Sequence, residues 1–373
     1  MRRRSTKKKP GLISRALFVL NCLSAACLLL SYSASFINPT AFWPPAFFGL
    51  AYPFFLLINV VFFVLWLFKK PVYALLSGAV ILIGYNTLLN SIGFRESTAI
   101  EVPKSSKDFI RMMTYNVHYF RKFDYTNDKL IKDQMLEVIR REQPDIICIQ
   151  EFMTRKTGEY NQREAMRKIL QSNHYYFQPS VDNDFEALGL AIFSKYPIKN
   201  TGHIIFPNTE RGNEVIFADI KSGEKLFRVY NVHLQSISFQ PEDYQYLKKT
   251  TEISDVESPK RIGWRLKQAF VKRSEQAELL KKHAVESKLP YIVAGDFNDT
   301  PASYAVNKIA KGLKNSFREK GSGFGITYNG DFPNFQIDYI LATPDFNVKS
   351  YRVIDKKLSD HYAVRADLEL IND

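Results

Sequence analysis

The chain has 373 residues, 46% hydrophobic and 14% aromatic, which excludes a disordered protein and leaves material for more than one module. Its 51 Lys+Arg against 38 Asp+Glu give a formal +13, a balance that invites a nucleic-acid surface. The distribution qualifies that reading: residues 1–100 carry ten bases and one acid, net +9, whereas residues 101–373 carry 41 bases and 37 acids, net +4.

The basic excess sits in clusters around apolar runs. A head from Met1 to Lys9 precedes a run over residues 16–37, Asn38-Pro39 and Trp43-Pro44-Pro45 break it, and a second run covers 46–68. Lys69-Lys70-Pro71 then turns the chain into a third run, 72–93. Each run is long enough for a membrane helix, which needs roughly 20 apolar residues. Three transmembrane helices in a membrane anchor over residues 1–94 are therefore predicted. Ser33-Ala34-Ser35 also resembles a small-residue cleavage site, so a signal peptide is the alternative for the first run. With the basic head and Lys69-Lys70 facing the cytoplasm, three crossings leave the rest of the chain outside it, in a multi-pass plasma (inner) membrane protein. A polar linker is predicted over 95–107 and a globular domain over 108–373.

In that domain short apolar strands alternate with amphipathic helices. Phe109–Tyr115 reads as a buried strand, and Asn127 is placed to cap a helix reaching Arg141, with Pro144 as its stop. Asp145–Gln150 is a second strand, followed by a helix near Gln162–Gln171 and a strand at Gly189–Phe193. Glu214–Lys221 and Lys225–Leu234 form a predicted hairpin, and a helix near Val271–Glu286 leads into the strand Tyr291–Ala294. Further strands are expected at Gln336–Ala342 and Ala363–Leu370. Helical crossovers mixed with hairpins point to an α/β sandwich.

Polar residues recur where these strands stop, as at Asn116, Glu151, Asn231 with His233, and Asp296 with Asn298; Asp338 sits in the Gln336–Ala342 strand and Asp360-His361 just before the last one. Singly, an Asp or Asn after a strand is most often a turn former or a helix cap, and a lone His is most often structural. Lys272-Arg273 reads as the solvated face of its helix. Together, four acids, three Asn and two His at strand ends can converge on a ligand.

In order, Thr114-Tyr115-Asn116-Val117, Gln150-Glu151, Asn231-Val232-His233-Leu234, Gly295-Asp296-Phe297-Asn298, Ile337-Asp338-Tyr339 and Ser359-Asp360-His361 resemble the motifs of the endonuclease/exonuclease/phosphatase, or DNase I-like, superfamily. The resemblance spans about residues 108–373 and implies a four-layered α/β sandwich that hydrolyses phosphoesters with a divalent metal, Mg²⁺ or alternatively Mn²⁺. It further implies Glu151, Asn116 and Asp360 at the metal, and Asn116, Asn231 and Asn298 at the phosphate. Asp296 would orient or deprotonate water, Asp338 and His361 would act as a pair, and His233 would protonate the leaving group.

The stretch around Asp299-Thr300-Pro301 departs from the inositol 5-phosphatase pattern, and Gln336 stands where AP endonucleases usually carry Trp. Gly295–Pro301 with Ser303 and Tyr304 is most similar to deadenylase-like and bacterial membrane members. The long segment Ser236–Phe270 lies beside the site and reads as a specificity insertion or a flap. The leading expectation is an extracytoplasmic nuclease. The alternatives are a phospholipid or sphingolipid phosphodiesterase or phosphatase and, from another class, an inactive scaffold or binding module. The implied partners are nucleic acid or phospholipid as substrate and the lipid bilayer.

Overall fold

A computed structural model describes residues 11–95, 109–122, 126–207, 212–240, 242–243, 246, 257–330 and 333–371. The basic head, nearly all of the 95–107 linker and residues 247–256 lie outside the described residues.

Two strands that the sequence reads as continuous apolar runs lie at the centre of the globular part. β2 (Phe109–Asn116) pairs parallel with β3 (Ile146–Arg155), Thr114 opposite Cys148. Around them β4 (His174–Asp182), β5 (Glu186–Ser194), β13 (Phe346–Ile354) and β14 (Ala363–Leu370) complete a sheet of order β13-β14-β2-β3-β5-β4. A second sheet, β10-β12-β9-β8-β7-β6, is built from β6 (Ile198–Ile204), β7 (Glu214–Ser222), β8 (Lys225–His233), β9 (Tyr291–Asp296), β10 (Lys314–Asn315) and β12 (Asp338–Ala342).

Alternation along the central strands sorts their side chains into layers. Met112, Cys148, Val229, Ile292 and Ile340 fill the space between the sheets. Met113 and Ile147 face outward onto Met135 and Ile139 of α6 (Lys129–Glu142) and Met166 of α7 (Gln162–Leu170). On the other outer face, Val232 and Val293 pack on Ala277 and Leu280 of α8 (Glu257–Val285) and Val306 of α9 (Tyr304–Ala310). Helices, sheet, sheet and helices make a four-layered α/β sandwich.

Several boundaries differ from the sequence reading. Asp128, not Asn127, caps α6, because its carboxylate accepts from the amides of Leu130 and Ile131. The helix predicted from Val271 begins at Glu257, so part of the Ser236–Phe270 segment is helical. Arg273 is buried rather than solvated. The edge strands β4, β6, β10 and β13 were not anticipated.

The apolar N-terminal runs are also subdivided. α1 (Leu12–Ser33) is 22 residues long and α3 (Tyr52–Lys69) is 18, both apolar enough to cross a membrane. The predicted run 46–68 splits at Ala51, leaving a separate α2 (Pro44–Leu50); Pro53 then lies in the first turn of α3, where a missing N–H costs nothing. The run 72–93 bends by 66° between α4 (Pro71–Ile83) and α5 (Tyr85–Ser91) and counts as a third span if the pair is one. Buried polar groups tie the bundle together: the Asn21 amide donates to Ser77 Oγ at 2.6 Å, and Ser77 Oγ donates to Asn59 Oδ1 at 3.3 Å.

The bundle packs directly on the globular part. Ala46, Phe47 and Leu50 of α2 pack against Ile262, Leu266 and Phe270 of α8, with the Phe47 and Phe270 rings 5.2 Å apart, edge to face. At a second place β1 (Gly93–Phe94) pairs with β11 (Ser322–Gly323), and Arg318, in α10 (Ser316–Lys320), donates to Asn86 and Asn90 of α5.

One buried ion pair staples β2 to β14. Arg111, 3% exposed, reaches Asp367 with Nε at 2.8 Å and Nη2 at 3.1 Å. Arg111→Leu, which strands the Asp367 carboxylate, is expected to cost about 3–5 kcal/mol in denaturant unfolding; Arg111→Leu with Asp367→Leu should recover most of it.

Candidate active site

Strand register brings the polar residues together. His233 at the end of β8 is the parallel partner of Asp296 at the end of β9, and Asp338 at the start of β12 is the antiparallel partner of the same Asp296. Across the gap between sheets, the Asn116 amide at the end of β2 donates to Asp296 Oδ2 at 3.1 Å and contacts Glu151 Oε1 at 3.4 Å.

Local backbone devices aim these groups. Strict alternation in β3 would place Glu151 on the helix-covered face with Ile147 and Ile149. A bulge against β5 between Ile149 and Phe152, with Glu151 at φ 51°, turns its carboxylate into the cleft instead. Gly295 has φ 147°, and a Cβ there would lie 2.0 Å from the Val232 carbonyl, so only glycine lets β9 approach β8 this closely. Asn298, at φ 52°, folds back so that its own amide N–H donates to Asp296 Oδ1 at 2.8 Å.

An acidic pole forms from Glu151 and Asp360, with side chains 20% and 24% exposed, on either side of His118, whose Nδ1 lies 3.8 and 3.5 Å from their carboxylates. Burial, and then the charge of Asp360, push the Glu151 carboxyl up to about 7, against the opposing pull of His118, His361 and Asn116. A carboxyl that holds its proton so far above the ordinary range lacks positive charge beside it, and Asp360 adds a second carboxylate at the same pole. Their hard oxygens fit Mg²⁺ or a similar cation. Asp296, Asp338 and His361 also bring one ligand atom each within 4.8 Å of one another. In that trio, however, His361 Nδ1 and Asp338 Oδ2 are bonded at 2.9 Å, the arrangement of an oriented imidazole rather than of two free ligands.

His361 Nε2 then faces Asp296 Oδ2 at 3.6 Å. Burial alone would lower the His361 pKa, but Asp338 and Asp296 outweigh it and hold the imidazolium well above its ordinary range. His233 Nδ1–H donates to Gly212 O at 2.9 Å, and Nε2 faces Asp296 at 3.6 Å and Glu151 at 4.0 Å.

Asn116, Glu151, His233, Asp296, Asn298, Asp360 and His361 thus line one cleft, with Asp338 buried behind His361. Asn231 does not join them. Its amide nitrogen donates to the carbonyls of Ile149 and Ala191, and its oxygen accepts from Gln150, which makes it a strut beneath the site with no hydrogen left for a phosphate. Asn298 spends its side-chain amide on Leu234 O at 3.0 Å and Asp296 Oδ2 at 3.3 Å, so it braces Asp296 as it lines the cleft. Two basic lining residues escaped the sequence reading. His118 follows Asn116 by two positions and was available to the same strand-end argument. Arg273 gave no signal: it reaches the cleft from α8, beside Asp299 at 3.5 Å and bonded to the Asn298 carbonyl.

Comparison with known proteins gives the family. Residues 113–361 match the endonuclease/exonuclease/phosphatase family, and residues 14–91 match a domain of unknown function. No curated protein matches the chain. Among solved structures, a member of the same family from Bacteroides thetaiotaomicron is 18% identical, covering 70% of this chain and 97% of its own with a TM-score of 0.50. Another from Bacteroides vulgatus is 20% identical over 71% and 100%, TM-score 0.49. The human Nocturnin catalytic domain with a bound sulfate anion is 17% identical over 70% and 95%, TM-score 0.48. The family match covers well over half of the chain, which therefore belongs to the endonuclease/exonuclease/phosphatase family, a family of phosphoester hydrolases.

Proposed function

We propose that the chain is a divalent-metal-dependent phosphodiesterase, with residues 1–94 as a multi-pass plasma-membrane anchor, 95–107 as a linker and 108–373 as an extracytoplasmic catalytic domain. The observation that carries the reading is the convergence on Asp296 of an acidic pole (Glu151, Asp360) from one side and the Asp338–His361 pair from the other. Glu151, Asp360 and Asn116 would hold the cation, which when bound neutralises phosphate charge and polarises the ester.

Asp296, fixed by the Asn298 amide and by Asn116, accepts the proton of the attacking water. His361, protonated and oriented by Asp338, donates to a non-bridging phosphate oxygen, where negative charge builds. His233, held through Nδ1, presents Nε2 for proton delivery to the departing oxygen. An inactive scaffold is disfavoured because every motif carboxylate and imidazole is present.

The location rests on charge and on the docking of the bundle. Contact of α2 with α8 sets the loop after α1 and the globular part at one end of the bundle, opposite Lys69-Lys70. Under the rule that basic clusters stay in the cytoplasm, that end faces out.

Full-length protein in detergent should hydrolyse bis(p-nitrophenyl) phosphate, lose the activity with EDTA and regain it with Mg²⁺. Protease added to spheroplasts should cleave the catalytic domain. No hydrolysis with any divalent cation rejects the chemistry, and protection from protease rejects the topology. Nucleic acid and phospholipid both carry the bond in question, and the small diester reads out the chemistry without choosing between them.

A further inference from the structure

The cleft has two unlike halves. One holds the carboxylates and imidazoles, and the other is an apolar wall of Leu50, Ile237, Phe239, Leu266 and Phe270. Leu50 does not come from the globular part. It is the last residue of α2, and α3, a helix apolar enough to span a bilayer, starts two positions later at Tyr52. The wall is therefore continuous with the membrane anchor, and the site that cleaves phosphate opens beside the end of a spanning helix.

Aromatic residues mark the same edge. Trp43 at the head of α2 is 39% exposed and carries Lys267 over its ring at 5.1 Å. Trp264, on the segment of α8 that receives α2, is 60% exposed, and Phe42 is 57% exposed. Exposed Trp rings beside spanning helices are the usual occupants of the bilayer–water boundary.

Charge argues in the same direction. A protein that tracks a nucleic-acid backbone needs several Lys or Arg along its groove. Among the described residues lining the cleft there is one, Arg273, and Asp299 and the Asn298 carbonyl already engage it. Four acids (Glu151, Asp296, Asp299 and Asp360) face it. Such a cleft suits one phosphodiester neutralised locally and attached to something apolar.

We propose that the substrate is a membrane-resident amphiphile, a lipid phosphodiester whose apolar part lies against the wall that α2 and α8 build while its phosphate meets the acidic pole. The proposal rests on the phosphodiesterase reading above. In the reaction, a water oxygen bonds to phosphorus and one phosphorus–oxygen ester bond breaks. The proton lost by the water is matched by one gained on the departing alkoxide, so the products are a phosphomonoester and an alcohol.

The test uses full-length protein with Mg²⁺ on three probes: mixed micelles of phosphatidylglycerol and phosphatidylethanolamine, a single-stranded oligonucleotide, and bis(p-nitrophenyl) phosphate. The lipid diester should be cleaved in preference to the oligonucleotide. Leu50→Gln and, from a separate segment, Ile237→Gln should each lower the ratio of lipid to small-diester kcat/KM by about tenfold, the scale of one unburied aliphatic side chain. Thermal unfolding identifies a variant that is merely misfolded, and the wild-type comparison stands even if both variants are. Oligonucleotide cleavage with the lipid left intact overturns the proposal, as does an unchanged ratio in two folded variants. Small-diester hydrolysis without lipid cleavage rejects this inference alone, whereas inactivity on all three probes rejects the phosphodiesterase reading with it.

Discussion

Glu151→Gln is expected to lower kcat/KM on bis(p-nitrophenyl) phosphate on the order of a thousandfold, the scale of losing a charge-stabilising metal ligand. The same substitution carries a second signature that activity does not report. Without a cation, the Glu151 carboxyl sits at about 7, above its ordinary 4.5. Between those values the folded protein keeps a proton that the unfolded chain has released. Stability therefore falls as pH rises through that window. A bound cation relieves the penalty, so the rise in unfolding temperature produced by Mg²⁺ should be larger at pH 8 than at pH 5. Glutamine has no charge to relieve, and Glu151→Gln should flatten the pH dependence of the metal-free protein and shrink its response to Mg²⁺. A variant that retained both activity and the Mg²⁺ response would sink the assignment of Glu151 to the metal.

His361→Ala is expected to reduce kcat by about 10²–10⁴, the range for removing a positioned proton donor, with a smaller change in KM. Asp338 acts through His361, so Asp338→Asn should cost on the order of a hundredfold. The double variant should be no worse than His361→Ala alone, because two residues that work as a unit do not lose independently. Asp338→Asn has a directional consequence as well. Asp338 and Asp296 raise the imidazolium against burial, and loss of one negative partner lowers it. The alkaline limb of the rate profile should then move to lower pH. If the two losses instead multiplied, Asp338 would have a role apart from the histidine.

Much of the architecture was legible because central strands carry their own signature. β2, β3 and β9 are covered on both faces, and a strand so placed is apolar along most of its length. Among the strands that escaped notice, β4, β6, β10 and β13 are the outer strands of the two six-stranded sheets. An edge strand pairs on one side and needs less apolar cover, so β6, with Lys199, Asn200 and Thr201 in sequence, reads as a loop.

The site followed the same logic. Asp296 and His233 end central strands and Asp338 opens one, and register alone sets them side by side. What a linear pattern could not supply was direction. Asn231 also closes an apolar run, but pleating points it into the gap between sheets, where backbone carbonyls consume its amide. Glu151 would have pointed away from the cleft without the bulge at its own position. Arg273 was misread because a long helix with many Lys and Arg conceals which one faces inward; only packing on the Asn298 turn distinguishes it.

The N-terminal helices grip the globular part twice, through α2 on α8 and through β1 on β11, at points separated on the chain by the whole of α3, α4 and α5. A body held at two separate points can turn only about the line that joins them. The placement of the cleft relative to the apolar helices is thus set by these two contacts and not by the length of chain between β1 and β2. Lengthening that stretch should change stability by roughly 0.6 kcal/mol per doubling and leave the cleft where the two contacts set it.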